Sequence, residues 1–156
     1  MKPVWLAGTA LVLALATIPG AGQIKEPWVG IWVEDVSKST YTGQVNRSAV
    51  VTLGSWKNGM SFINDVITAD GQKQHIVWKA RFDGRFYPVT GNPRADEMSL
   101  QRTGPRQVVQ TNRLKGSVVN VAESEFSEDG KTWTQILKVP SEGSFVQRAR
   151  FIRTRR

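Results

Sequence analysis

Residues 48–89 read SAVVTLGSWKNGMSFINDVITADGQKQHIVWKARFDGRFYPV, and the punctuation of that stretch decides the fold. Asn58-Gly59, Asp70-Gly71 and Asp83-Gly84 are dipeptides that favour positive φ, the backbone state that tight hairpin turns require. The runs between them are rich in Val, Ile, Thr, Phe and Trp and carry no helical periodicity. Each run therefore predicts a strand folded back on the one before it, over 48–56, 60–68, 72–82 and 85–89.

The same grammar extends outward in both directions. Lys115-Gly116 and Asp129-Gly130 mark further turns, and strands are predicted over 30–34, 97–102, 107–114, 117–127, 131–139 and 144–153. Two connections are longer, 35–47 and 90–96. Short links make sequential strands antiparallel neighbours. An open sheet of this size would expose its edges, and closure removes them. The expectation is an all-β domain: an antiparallel up-and-down β-barrel of about 8–10 strands, with a two-sheet sandwich as the alternative.

The N-terminus reads differently. Met1-Lys2 is a short positive start, Val4 to Ile18 is almost wholly apolar, and Pro19-Gly20-Ala21-Gly22 supplies small residues. That is the layout of a secretory signal peptide over residues 1–22, leaving a single domain over 23–156 that is periplasmic or secreted. The apolar run is short for a membrane span, although a retained anchor is the alternative reading. There is no cysteine, so the core must stabilise the exported domain without disulfides.

The formal charge is +8, and much of the excess gathers at Arg148, Arg150, Arg153, Arg155 and Arg156. Export argues against nucleic acid as the partner. An anionic envelope surface met through Arg148, Arg150 and Arg153 is one reading, and a solvated strand edge guarded by charge is the other.

Two-residue turns at the three dipeptides would fix the register, because paired residues share a face. Trp56 would then face Ser61, Gly54 would face Ile63, Ile63 would face Trp78, and Trp78 would face Val89. One face collects Val50, Trp56, Ile63, Asp65, Ile67, Ile76, Trp78, Tyr87 and Val89, and the other collects His75, Lys79 and Arg81. The tryptophan-bearing face is the expected interior. Trp56, Ile63, Asp65, Trp78 and Tyr87 are the candidate lining of a cavity for a small hydrophobic or amphipathic ligand.

Motifs for chemistry are few. A lone His75, placed by this register on the face opposite Asp65 and Tyr87, makes a poor general base. One histidine and no cysteine cannot build the usual zinc sets, and nothing else in the chain asks for a haem or another cofactor. Glu123 with Glu125, and Asp96 with Glu97, are carboxylate pairs of the kind glycosidases use, but on a barrel exterior such pairs are usually solvated. The balance leans away from an enzyme.

Gly30-Ile31-Trp32 resembles the Gly-x-Trp opening of lipocalin-like barrels, in which the indole plugs the closed end. Ser37-Lys38-Ser39, the string from Asp83 through Tyr87-Pro88-Val89-Thr90-Gly91-Asn92-Pro93 to Asp96, and Ser127-Glu128-Asp129-Gly130-Lys131-Thr132 resemble a family of small exported bacterial lipocalin-like (calycin-type) β-barrel proteins. That resemblance implies a lipocalin- or fatty-acid-binding-like fold and, by analogy, a non-catalytic protein that binds a small molecule. An envelope protein with a packed core, acting through its basic surface, is the alternative, followed by an enzyme using His75.

Overall fold

The computed structural model describes residues 26–43, 45–140 and 144–154. The segment read as a signal peptide lies outside the described residues, as do Arg155 and Arg156. Eleven strands follow in order: β1 (Gly30–Glu34), β2 (Thr40–Tyr41), β3 (Ser48–Ser55), β4 (Gly59–Ile67), β5 (Lys73–Arg81), β6 (Tyr87–Thr90), β7 (Glu97–Gly104), β8 (Gln107–Leu114), β9 (Ser117–Phe126), β10 (Thr132–Val139) and β11 (Ser144–Arg153). A 3-10 turn at Val36–Lys38 lies between β1 and β2. No α-helix occurs among the described residues.

All the strands belong to one antiparallel meander. β1 pairs with β3 on one side and with β11 on the other, so the sheet closes on itself as a ten-stranded, lipocalin-like barrel. The two-residue β2 is an extension laid along β11, with Tyr41 opposite Gln147. Closure of β1 onto β11 removes the two open edges at which an all-β chain would otherwise associate edge to edge.

The turns explain where side chains point. Lys115 and Gly116 both adopt positive φ, +51° and +82°, and join Leu114 to Ser117 in a two-residue hairpin. The β4–β5 connection is longer than its Asp70-Gly71 dipeptide suggests. The Thr68 hydroxyl bonds the Asp70 carboxylate and the Gln72 carbonyl, the Thr68 amide bonds Gln72 as well, and Ile67 is left opposite Lys73. Five residues in the loop instead of two shift the register by an odd number. Phe62, not Ile63, therefore faces Trp78.

That shift splits the expected interior. Val50, Ile63, Asp65 and Ile67 lie on the outside of β3 and β4, with Val50 36% and Ile63 37% exposed. Ala49, Val51, Leu53, Met60, Phe62, Asn64 and Val66 line the inside instead. On β5 and β6 the expectation holds: Trp78 is buried and faces Val89. Gly54 sits opposite Ser61 on the outer wall, not opposite Ile63, so it opens no room inside.

Two glycines allow close backbone approach. A Cβ on Gly59 would lie 1.9 Å from the Ala80 carbonyl oxygen, and one on Gly91 1.9 Å from that of His75. The Thr-Gly-Asn-Pro string thus has a packing reason for its glycine.

The hairpins at 56–58, 82–86, 104–106 and 127–131 gather at one end of the barrel, and that end is closed. Trp28 and Trp32 are 0% exposed there. The Trp133 ring stacks on Phe151 at 4.1 Å and on Phe126 at 5.6 Å, with Trp32 edge-on to Trp133 at 6.1 Å. Trp32 Nε1 donates to the Trp28 carbonyl at 2.7 Å. Arg153 lies over Trp32 at 4.5 Å and bonds the Pro27 carbonyl, while Arg102 lies over Trp28 at 4.9 Å and pairs with Glu26. Each ring pair contributes about 0.5–1.5 kcal/mol beyond burial alone.

Candidate functional site

The inner wall changes character along the barrel axis. At the closed end it is aromatic. Toward the other end, where β1 finishes and Lys115-Gly116 turns, the inward positions carry polar side chains. These are Asn64 on β4, Gln74 on β5, Gln110 and Asn112 on β8, Asn120 on β9 and Gln135 on β10, with Glu34 on β1 the one carboxylate among them.

Part of this wall satisfies itself. Gln110 Nε2 donates to Asn112 Oδ1 at 2.7 Å, and Asn112 Nδ2 donates to Asn120 Oδ1 at 2.6 Å. A one-residue register shift between Asn112 and Arg113, just beyond the tight hairpin into β9, puts Asn112 directly opposite Asn120 on the inner face. Gln135 reaches Ser124 on the neighbouring strand at 3.4 Å.

Another part does not. Glu34 Oε1, Asn64 Oδ1 and the Tyr41 hydroxyl are buried atoms without a hydrogen-bond partner. Glu34 is 7% exposed. Burial pushes its carboxyl up to about 7, against a smaller opposing effect of the Ser39 hydroxyl. A charged oxygen removed from water loses solvation that the Ser39 hydroxyl replaces only in part.

Between the polar wall and the aromatic plug lies a small cavity of about 20 Å³, bordered by Phe62, Trp78, Gln110, Ser124 and Gln135 among others. Phe62 and Trp78 are stacked at 4.6 Å and nearly parallel, with Phe62 partly exposed. This volume is about that of one water molecule. The closed half of the barrel is therefore packed up to the Phe62–Trp78 pair.

The residues expected to line a cavity separate into three places. Trp78 lies inside, at the boundary of the two halves. Trp56 and Tyr87 meet edge-on at 6.3 Å beside the closed-end turns, where Tyr87 Oη donates to Asp83 at 2.8 Å. Burial and the Asp83 carboxylate raise the Tyr87 hydroxyl above its ordinary value. Ile63 and Asp65 lie outside.

The odd shift has a second result. Asp65 stands directly opposite His75, and its Oδ1 lies 2.7 Å from His75 Nδ1, where the dipeptide register had placed them on different faces. A carboxylate that orients an imidazole is part of many catalytic sites. Here both side chains are 64% exposed, on an open depression of about 420 Å³ between Val50, Ile67 and Lys73. Bulk water at that position screens the charges on which such a pair depends.

The basic cluster also divides. Arg148 is exposed on the outer wall, Arg150 pairs with Asp35 at 3.7 Å, and Arg153 is turned to the closed end over Trp32. Glu123 is ion-paired to Lys138 at 2.6 Å on the outer wall, so it is not free to act with Glu125.

The amides of the inner wall were missed because a polar residue in a strand is read as facing water by default. No signal in the sequence places the amides together: the two-residue Lys115-Gly116 turn alone sets Asn112 opposite Val119, and only the bulge that follows it brings Asn120 across. No protein-family model, curated protein or solved structure matches the chain.

Proposed function

We propose that this chain is an exported, non-catalytic binding protein that takes a small amphipathic molecule into the amide-lined end of its barrel. The observation that carries this reading is the group of buried atoms left without partners, Glu34 Oε1, Asn64 Oδ1 and the Tyr41 hydroxyl. Each such group costs about 1–3 kcal/mol when left dry. A core selected for packing alone would replace them with apolar side chains. Water completes them in the empty barrel, and the polar part of a guest completes them in the loaded one.

The cavity volume sets the guest's depth. About 20 Å³ beside the Phe62–Trp78 pair holds one water, so the guest stays on the amide side of those rings and does not enter the closed half. Its apolar edge lies on those two rings and its polar atoms on the amides. The N-terminal segment and the resemblance to exported lipocalin-like barrels support the location and the binding role.

Native mass spectrometry of the full chain purified from its own host is the test, joined to intrinsic fluorescence titrations with small aromatic alcohols and amines. A co-purified small molecule, and a tryptophan signal that saturates in the native protein and is lost in Asn64→Leu, are expected. A bare polypeptide mass together with a flat titration across the panel overturns the proposal.

A further inference from the structure

We infer that the guest carries a protonated amine, and that Glu34 is its counter-charge at the amide-lined end of the barrel. This rests on the binding role proposed above and names the chemical class of the molecule.

Donors and acceptors on the inner wall are unequally used. Gln110 and Asn112 each spend an amide hydrogen on a neighbouring amide, Asn112 and Asn120. At this end the open buried atoms are the Glu34 carboxylate and Asn64 amide oxygens, which accept, and the Tyr41 hydroxyl, which can accept; the open N–H groups of Trp28, Trp133 and Arg153 lie at the closed end, and that of Arg113 lies on the outer wall against Phe86. The group that fits this wall is a donor.

The same wall lacks a cation. Among the described residues the ion pairs involve Asp65, Glu26, Asp129, Glu123 and Asp35, and none involves Glu34. Two cations stand near it in the register, and both are occupied elsewhere. Arg150 points outward to Asp35, and Arg153 lies over Trp32. The groups that meet Glu34 from the neighbouring elements are Phe151 of β11 and Ser39 of the turn that follows. Neither brings a free positive charge.

An ammonium group answers both deficits, since it supplies one positive charge and three donors from a single small centre. A divalent metal answers them less well. It takes six or more oxygens, usually with several carboxylates, and this wall offers one carboxylate. The stacked Phe62 and Trp78 add aromatic surface beside which an alkyl- or arylammonium is favoured over a carboxylate.

Calorimetric titration of the full chain at pH 8 with benzylamine, benzyl alcohol and benzoate tests the inference. The three share one ring and differ in the head group. Benzylamine is expected to bind at least about tenfold more tightly than the alcohol, with benzoate the weakest. In Glu34→Gln the amine should lose its advantage, so that amine and alcohol bind alike. The native protein at pH 5 gives a second reading without a variant. Benzylamine keeps its charge there while Glu34 is protonated, so the preference should disappear.

An alcohol that binds as well as the amine, or a preference that survives in Glu34→Gln or at pH 5, overturns the amine assignment and leaves the binding role standing. Failure of all three probes to bind overturns both.

Discussion

The two halves of the barrel interior are built on the same strands and obey opposite rules. At the closed end, Trp28, Trp32, Phe126, Trp133 and Phe151 pack ring against ring, and two arginines seal the rim by lying over indoles. At the other end, Asn64, Asn112, Asn120 and Glu34 occupy positions of the same strand parity, yet they keep polar atoms out of water. One half maximises buried area, and the other gives some of it up. The difference teaches that stability in this fold is concentrated at the plug, which leaves the opposite end free to hold groups a core would reject.

Removing a plug residue is the strongest way to break the comparison. Trp32→Ala deletes an indole that is 0% exposed, its bond to the Trp28 carbonyl and the surface under Arg153. A loss of about 3–5 kcal/mol is expected in urea unfolding, enough to threaten folding altogether.

The next effect belongs to the polar half and depends on pH. Glu34 holds its proton more tightly in the folded chain than in the unfolded one, because burial raises it from 4.5 to about 7. Its contribution is therefore fully present below about pH 4.5 and is lost as the pH rises through about 7. Against Glu34→Gln, which does not titrate, the native protein should lose up to about 3 kcal/mol between those limits. Chemical denaturation of both proteins at pH 4, 6 and 8 measures the gap. Parallel pH profiles would place Glu34 in water and erase the contrast between the halves.

The smallest effect lies outside both halves. His75→Ala breaks an exposed pair with Asp65, and a change under about 1 kcal/mol is expected in thermal unfolding. A larger loss would mean that the outer wall of β4 and β5 carries stability assigned here to the plug.

Much of the fold was legible because strand ends are written in local chemistry. The strand runs predicted from glycine-bearing turns match β1, β8 and β11 end to end, and the others within a few residues. Lys115-Gly116 behaves as a two-residue hairpin should. The facing of β4 against β5 was not legible, since it depends on whether a loop contributes an odd or even number of residues. Asp70-Gly71 reads as a two-residue turn, and only the Thr68 side chain, tied to Asp70 and Gln72, turns it into a five-residue one. From that single parity followed the outward placement of Ile63 and Asp65 and the meeting of Asp65 with His75. Trp78 survived as a candidate because β5 keeps its expected facing while β4 is reversed.

Arg153 ties the end of the chain to its beginning: it bonds the Pro27 carbonyl, covers Trp32, and sits in the strand that pairs with β1. The last seam of the cylinder therefore joins residues separated by more than a hundred positions, the slowest kind of contact to find. A polypeptide delivered from its N-terminus must wait, with its indoles unshielded, until residue 153 has emerged, and then it shuts as a unit.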